Sequence, residues 1–368
     1  MGEQRPAIRR RVAVALNRYM TGREQSSGYT GFKNRDAASY DQWADTYDRH
    51  ISRLALPLAH HICALAKLRK GDRVLDVGCG SGVATREAAR WVSPLGYVLG
   101  IDLSTGMIAT ANHHKTPGAD YLVMDAESLE LQDGSFDAVI SLCAVMHFPA
   151  IATAFAEMYR VLKPGGRLVV SFGDGRPLAF GHRLRHFGRE ALWAATQGIR
   201  PQLKAPNVWL KLVSDRLPCP SEGIETDWAG EQPRQRLIEE VRAAGFNDIV
   251  QDWRGREIRF DSPDDWCEAQ FAIVTAARRR LELSSLSVAQ SLRQTMLDLA
   301  RREHARGTIL RYPYGAFFVS AVRPLNGDAG LKDVPEAAAA ELQPGSNALV
   351  EENAAPLHLQ ASHGGLGD

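Results

Sequence analysis

Val74-Leu75-Asp76-Val77-Gly78-Cys79-Gly80-Ser81-Gly82 is an apolar strand running into a glycine-rich turn that opens a helix at about Val83. Glycine at 78, 80 and 82 lets the backbone turn tightly and approach a ligand closely, because no Cβ stands in the way. The spacing is not the dinucleotide fingerprint, since G-x-G-x-x-G needs a glycine where the chain has Val83. Taken alone, the turn reads equally well as purely structural.

Outward from this turn, strand, turn and helix alternate. Candidate strands cover Arg73 to Val77, Tyr97 to Ile101, Tyr121 to Met124, Phe136 to Leu142 and Arg167 to Phe172. Helix-like segments separate them, the pattern of a parallel sheet with crossover helices. The strands are short and nearly all apolar, as strands covered on both faces must be. The second ends in Ile101-Asp102-Leu103, about twenty residues past the glycines, which sets a carboxylate where a ribose diol would lie. Asp102 reads equally as the cap of a helix starting near Ser104. The third ends in Met124-Asp125-Ala126-Glu127, where an Asp can accept from an exocyclic amine while the next backbone N–H donates to a ring nitrogen. A plain loop Asp is the competing reading until the three strand ends are taken together.

The segments LDVGCGSG, GIDLS, MDAESL, DGSFDAVIS and LKPGGRLVVS resemble the consecutive motifs of class I S-adenosylmethionine-dependent methyltransferases, and within them the ubiquinone/menaquinone C-methyltransferase-like group. The likeness covers 37–173 strongly and 232–323 loosely. It implies an α/β, Rossmann-like three-layer sandwich with a seven-stranded, mostly parallel sheet. Its last strand, here Ala316 to Val322, runs antiparallel between its neighbours. It also implies S-adenosyl-L-methionine as cofactor. Asp76, Gly78, Cys79, Gly80 and Gly82 would line its methionine and ribose portion, Asp102 the ribose hydroxyls, Leu103 and Met107 the adenine face, and Asp125 with Ala126 the adenine edge. Cys143 would border the sulfonium. Upstream, Tyr40 to Asp48 resembles the helix that closes over the cofactor in this group, and Tyr40 and Tyr47, seven apart, would share its inner face. An electron-rich ring near a sulfonium is stabilising; packing is the competing role for both tyrosines.

Methyl transfer from a sulfonium is an in-line displacement, so alignment supplies much of the rate and no covalent nucleophile is required. A base helps when the acceptor is a hydroxyl or an activated carbon. His147, just past the fourth strand, is the best-placed candidate, with Tyr47 as the other catalytic candidate. A histidine packing the next helix remains the alternative. His182 and His186, among Arg183, Arg185 and Arg189, are a second choice that reads equally as a solvated basic face.

The chain divides into a basic arm over 1–36, a core over 37–175, an insertion or lid over 176–231, the rest of the core with a helical lid over 232–324, and a tail over 325–368 that is Ala-, Gly- and acid-rich and reads as disordered. The apolar spacing from Ala37 to Lys67 predicts two helices with a break near His50, and Pro263 to about Arg306 reads as a long helical stretch. Trp193, Trp209, Trp228, Trp266 and Phe271 in the lid regions suggest an aromatic or lipid-like acceptor of quinone, polyketide or terpenoid type, although core packing explains any one tryptophan better.

A formal net charge of +1 gives no basis for a nucleic-acid partner. No run approaches the length needed to span a bilayer, and the short apolar run after Arg9-Arg10-Arg11 is interrupted by Arg18, so no export signal is read. Five dispersed cysteines point to free thiols and a reducing cytoplasm and offer no metal-ligand spacing. The amphipathic stretch Ile8 to Met20 could pair two subunits in a homo-oligomer. Two other readings stay open: a nicotinamide-dependent oxidoreductase, disfavoured by Val83, and a non-catalytic cofactor-binding module.

Overall fold

Alternation within the central strands decides how the molecule is layered. In β1 (Arg73–Val77), Val74 faces one apolar core while Leu75 and Val77 face another; in β2 (Tyr97–Asp102), Val98 faces the first and Leu99 and Ile101 the second. Every one of these side chains is buried, which is why the strands show no polar face. The computed structural model describes residues 31–114, 116–174, 202–204, 207–217 and 232–325. The predicted Ile8 to Met20 helix, the tail beyond 325, His182, His186, Trp193 and Trp228 lie outside them.

Among the described residues the sheet is eight-stranded, in the order β3-β2-β1-β4-β5-β8-β6 with β7 paired to β8. The strands β1 to β5 run parallel, with β3 at Ala119–Val123, β4 at Phe136–Ser141 and β5 at Leu162–Gly173. The last strand, β8 (Ile309–Val322), is antiparallel to both β5 and β7 (Asn247–Phe260) and lies between them. The expected fold class therefore holds, with one addition: β6 (Gln202–Lys204), a three-residue strand in the insertion, pairs with 309–311 of β8.

Several helices continue into this frame. A helix over 31–41 (α1) spans the point where the sequence reading divides arm from core. It is followed by α2 (Ala44–Leu65), α3 (Val83–Val92), α4 (Thr105–His113) and α5 (Ile151–Val161). The break expected near His50 falls instead at 42–43. Nothing near 50 can stop a helix, whereas Asp41 turns its carboxylate away to accept from Ser104 Oγ at 2.6 Å and Gly106 N at 2.7 Å. Tyr40 and Tyr47 consequently sit on two helices, not one.

Later come α6 (Asn207–Ser214), α7 (Pro233–Ala243), α8 (Pro263–Ile273), α9 (Thr275–Glu282) and α10 (Leu286–Ala305). The long helical stretch from Pro263 thus consists of three helices. Ser262 and Ser285 cap α8 and α10, each side chain accepting from the backbone N–H three residues on, a pattern that restarts a helix after each interruption. Helices α2, α3 and α8 to α10 share the first core, while α5 and α7 share the second.

Trp209, Trp266 and Phe271 are core residues in this arrangement, with Trp209 and Phe271 rings 4.8 Å apart. Trp266 is fully buried and donates from Nε1 to Arg311 O at 2.9 Å. Trp266→Ala is expected to cost about 3–5 kcal/mol of folding stability, measured by chemical denaturation. A loss under about 1 kcal/mol, the range of a surface substitution, would contradict its place in the core.

Candidate active site

The chain runs outward from β1 to β2 and β3, then returns to lay β4 on the other side of β1. At that reversal the loops leaving neighbouring strands diverge, which opens a crevice at the carboxyl edge of the sheet. A cleft lies there.

Its floor is the glycine turn. Gly78, with φ +70°, passes so close to Ala144 that a Cβ would lie 2.4 Å from that residue's Cβ. Cys79 and Gly80 also line the cleft; Gly82 does not. Gly82 instead precedes α3 in a left-handed conformation, and a Cβ there would meet the Tyr121 hydroxyl at 2.7 Å. The missing Cβ serves helix initiation and this packing.

The other predicted residues converge. Asp76, Asp102, Leu103, Met107, Asp125, Ala126 and Cys143 all line the same cleft, as do Tyr40, Tyr47 and His147. Asp102 accepts from Gly80 N through Oδ2 and from Ser104 N through Oδ1, each at 2.9 Å, so the second strand end and the glycine turn are tied through one carboxylate. Burial nevertheless raises its pKa above the ordinary carboxylate value, these two N–H donors opposing the rise. Each oxygen keeps one acceptor position unused by these bonds. Asp125 is similarly held, by Glu127 N at 2.9 Å and by Lys33 Nζ at 2.6 Å. Cys143 adopts φ +56°, unusual for a residue with a side chain, and burial raises its thiol pKa.

Asp76 is fully buried beneath the cleft. Thr85 Oγ1 donates to its Oδ2 at 2.6 Å, while Oδ1 has no partner among the described residues. Burial pushes its carboxyl up to about 7, with Thr85 opposing the rise and Asp102 adding to it. Between about pH 4 and 7 the unfolded chain has lost this proton and the folded one keeps it. Asp76 therefore makes the protein less stable as pH rises through that window, by ~1.4 kcal/mol for each pH unit. Asp76→Asn is expected to gain stability relative to the wild type from about pH 5 to about pH 8, across that titration, read by denaturant midpoints; parallel profiles would refute the assignment.

Of the partners of His147, the sequence reading singles out Tyr40 alone. Its Nδ1 lies 2.9 Å from Asp36 Oδ2, its Nε2 lies 3.3 Å from Tyr40 Oη, and Tyr40 Oη lies 2.8 Å from Thr275 Oγ1. Arg279 holds the other Asp36 oxygen, from Nε at 3.0 Å and Nη2 at 2.5 Å. Burial would raise the Asp36 carboxyl, but His147 and Arg279 override it and hold the group well below the ordinary range. Tyr47, the other catalytic candidate, has its phenol pushed well above the ordinary tyrosine value by burial, so at neutral pH it is a ring and a hydrogen-bond donor, not a base. Lys33, Asp36 and Tyr40 recur at i, i+3 and i+7, a shared helix face; that spacing was the available signal for Asp36.

Residues 75–170 match the family described as a methyltransferase domain. This chain carries a class I methyltransferase domain, the kind that depends on S-adenosylmethionine. Its relatives include the aklanonic acid methyltransferase DauC of Streptomyces sp. (strain C5), 33% identical over 38% of this chain and 65% of the relative. Another is the demethylmenaquinone methyltransferase of Symbiobacterium thermophilum, 37% identical over 29% of this chain and 44% of the relative. The chain thus spans less than two thirds of the length of each. The crystal structure of the [4+2]-cyclase SpnF aligns over 74% of this chain and 82% of its own, at 23% identity and a TM-score of 0.41.

The cleft suits the cofactor of that domain on its own evidence of shape and charge. It combines a backbone floor that a Cβ would obstruct at Gly78, a buried carboxylate with an unused oxygen at Asp76, and two further carboxylates at successive strand ends. Among the described residues no helix is long and apolar enough to cross a membrane, and no group of three His, Cys, Asp or Glu could hold a metal ion.

Proposed function

We propose that the protein transfers a methyl group from S-adenosylmethionine to a small, apolar acceptor of quinone, polyketide or terpenoid type. The observation that carries this reading is convergence: three separate strand ends, bearing Gly80, Asp102 and Asp125, open into one cleft. The relatives' names, which mention aklanonic acid and demethylmenaquinone, agree in acceptor class. The lining also includes Ile51, Ala55 and Leu142, apolar surface that favours an apolar partner.

When bound, S-adenosylmethionine supplies an electrophilic methyl group and leaves as a neutral thioether. In this reading Asp102 pairs with the ribose hydroxyls through its unused acceptor positions, and Asp76 receives the ammonium group of the amino acid portion. Leu103 and Met107 flank the adenine, while Asp125 and the Ala126 N–H meet its edge. Tyr40 and Tyr47, with ring centroids 5.7 Å apart, present aromatic surface to positive charge. His147 takes a proton when the acceptor must lose one.

Thermal-shift and calorimetric titration test the cofactor half of the proposal. Stabilisation by S-adenosylhomocysteine is expected, and stabilisation by a nicotinamide dinucleotide in its place would overturn it. Incubation with methyl-labelled donor and a panel of 2-naphthol, 2-naphthylamine, 2-naphthoic acid and a naphthoquinone tests the acceptor half. Label appearing in protein or nucleic acid but in no small aromatic compound would overturn that.

A further inference from the structure

The histidine beside the cleft is held more firmly than a packing role requires. His147 ends a short 3₁₀ turn, Val145–His147, that follows β4. Its Nδ1 faces Asp36 at 2.9 Å and Arg279 Nη2 at 3.4 Å. An ionised carboxylate can only accept, so the shorter contact requires a proton on Nδ1, which then cannot accept from Arg279. Neutral His147 is left with its lone pair on Nε2. That atom is 3.3 Å from the Tyr40 hydroxyl, a long contact for an O–H···N bond and one that a better-placed hydroxyl can replace. The Asp36 side chain is 7% exposed and the His147 side chain 21%, so the carboxylate is the more buried of the pair, and both line the cleft.

Arg279 completes the device. It binds Asp36 Oδ1, the oxygen that His147 does not contact, and lies over the Phe32 ring at 4.7 Å, which fixes the carboxylate. The charged and titratable groups around the imidazole are Asp36 and Tyr40 from α1, Arg279 from α9 and Asp102 from the end of β2; Arg278 stands behind the Tyr40 ring at 4.2 Å.

We infer that Asp36, clamped by Arg279, is a positioning residue that makes His147 Nε2 a proton acceptor, and that the methyl acceptor is a hydroxyl compound methylated on oxygen. The inference rests on reading the cleft as a methyl-transfer site. Its chemistry selects among acceptors. A phenol, with a pKa near ~10, is almost wholly protonated at neutral pH and is a poor nucleophile until a base takes its proton. An aromatic amine already carries a free lone pair and a carboxylate is already ionised, so neither needs this arrangement. In the step, the acceptor oxygen forms a bond to the methyl carbon as the bond from that carbon to sulfur breaks. The hydroxyl proton passes to His147 Nε2, and the resulting imidazolium is paired with the Asp36 carboxylate.

The test uses the full chain as wild type, Asp36→Asn and Asp36→Glu. Nitrogen NMR of labelled histidine, with the His147 signals assigned by loss in His147→Gln, reads the tautomer without any turnover. The wild type is expected to carry its proton on Nδ1 with Nε2 bare; Asp36→Asn should populate the other tautomer, and Asp36→Glu should restore the first. With labelled donor, 2-naphthol is expected to outpace 2-naphthylamine and 2-naphthoic acid. Asp36→Asn should lower kcat for it by at least about tenfold and shift the acid limb of the pH profile, with the KM for donor unchanged.

A bare Nδ1 in the wild type, or the same tautomer and pH profile in Asp36→Asn, overturns the positioning role. Label in the amine or the acid at least as fast as in the naphthol, or in none of the three, overturns the hydroxyl acceptor. Tight binding of S-adenosylhomocysteine alongside either result confines the failure to this inference, while no binding to the wild type removes the methyl-transfer reading as well.

Discussion

Asp102→Ala will weaken S-adenosylhomocysteine binding by at least about 100-fold, measured by calorimetry. Two losses combine. The substitution removes the paired acceptor proposed for the ribose diol, and it also frees the N–H groups of Gly80 and Ser104, which the carboxylate holds at 2.9 Å each. Leaving a buried donor unpaired costs about 1–3 kcal/mol, so disordering the glycine turn alone accounts for much of the effect. Asp102→Asn should lose less, because its single amide oxygen can still hold one of the two N–H groups. Wild-type affinity in the alanine variant would remove Asp102 from the cofactor site.

Gly78→Ala is expected to destabilise the fold by roughly 2–5 kcal/mol, the sum of a left-handed backbone penalty and an overpacked contact. The residue sits at φ +70°, and the new Cβ would lie 2.4 Å from Ala144 Cβ. Gly80→Ala makes the informative contrast. With φ +53° and no atom of the described residues within 4 Å of its added Cβ, it carries only the backbone penalty, while the methyl group is added on the floor of the cleft. Denaturation should therefore separate the variants in one direction and ligand binding in the other. Equal stability losses would show that Ala144 moves aside.

The sheet was legible wherever strands are continuous apolar runs, which covers β1 to β5. Reading β8 as starting at Ala316 missed its first half, because Arg311, Tyr312, Pro313 and Tyr314 look like a loop. In the fold Arg311 is buried and pairs with Glu257 at 2.5 Å. The same pairing hides the second half of β7, whose Arg254, Arg256, Glu257 and Arg259 carry no strand signal of their own but run against β8 in continuous register. The cleft was legible at strand ends for a similar reason, since a glycine turn and a following acid are local patterns. The Asp36 and His147 pair was not, because the two residues lie 111 positions apart and only the docking of α1 brings them together. Gly82 shows the same limit from the other side: its sequence context is local, while its packing against Tyr121 is not.

The position of β8 also bears on how the protein reaches its folded state. Among the described residues, β6 and β7 find their sheet partner only in β8, and β5 is left with a bare edge without it. During synthesis, the ribosome must therefore release the whole stretch from the start of α7 to the end of β8 before the sheet can close, and contacts of such long range slow folding. Until Ile309–Val322 emerges, the unpaired edge of β5 is a template for other chains. Nascent chains halted before residue 309 should be aggregation-prone and protease-sensitive through β5 and β7, whereas chains halted past residue 322 by a tunnel's length should not.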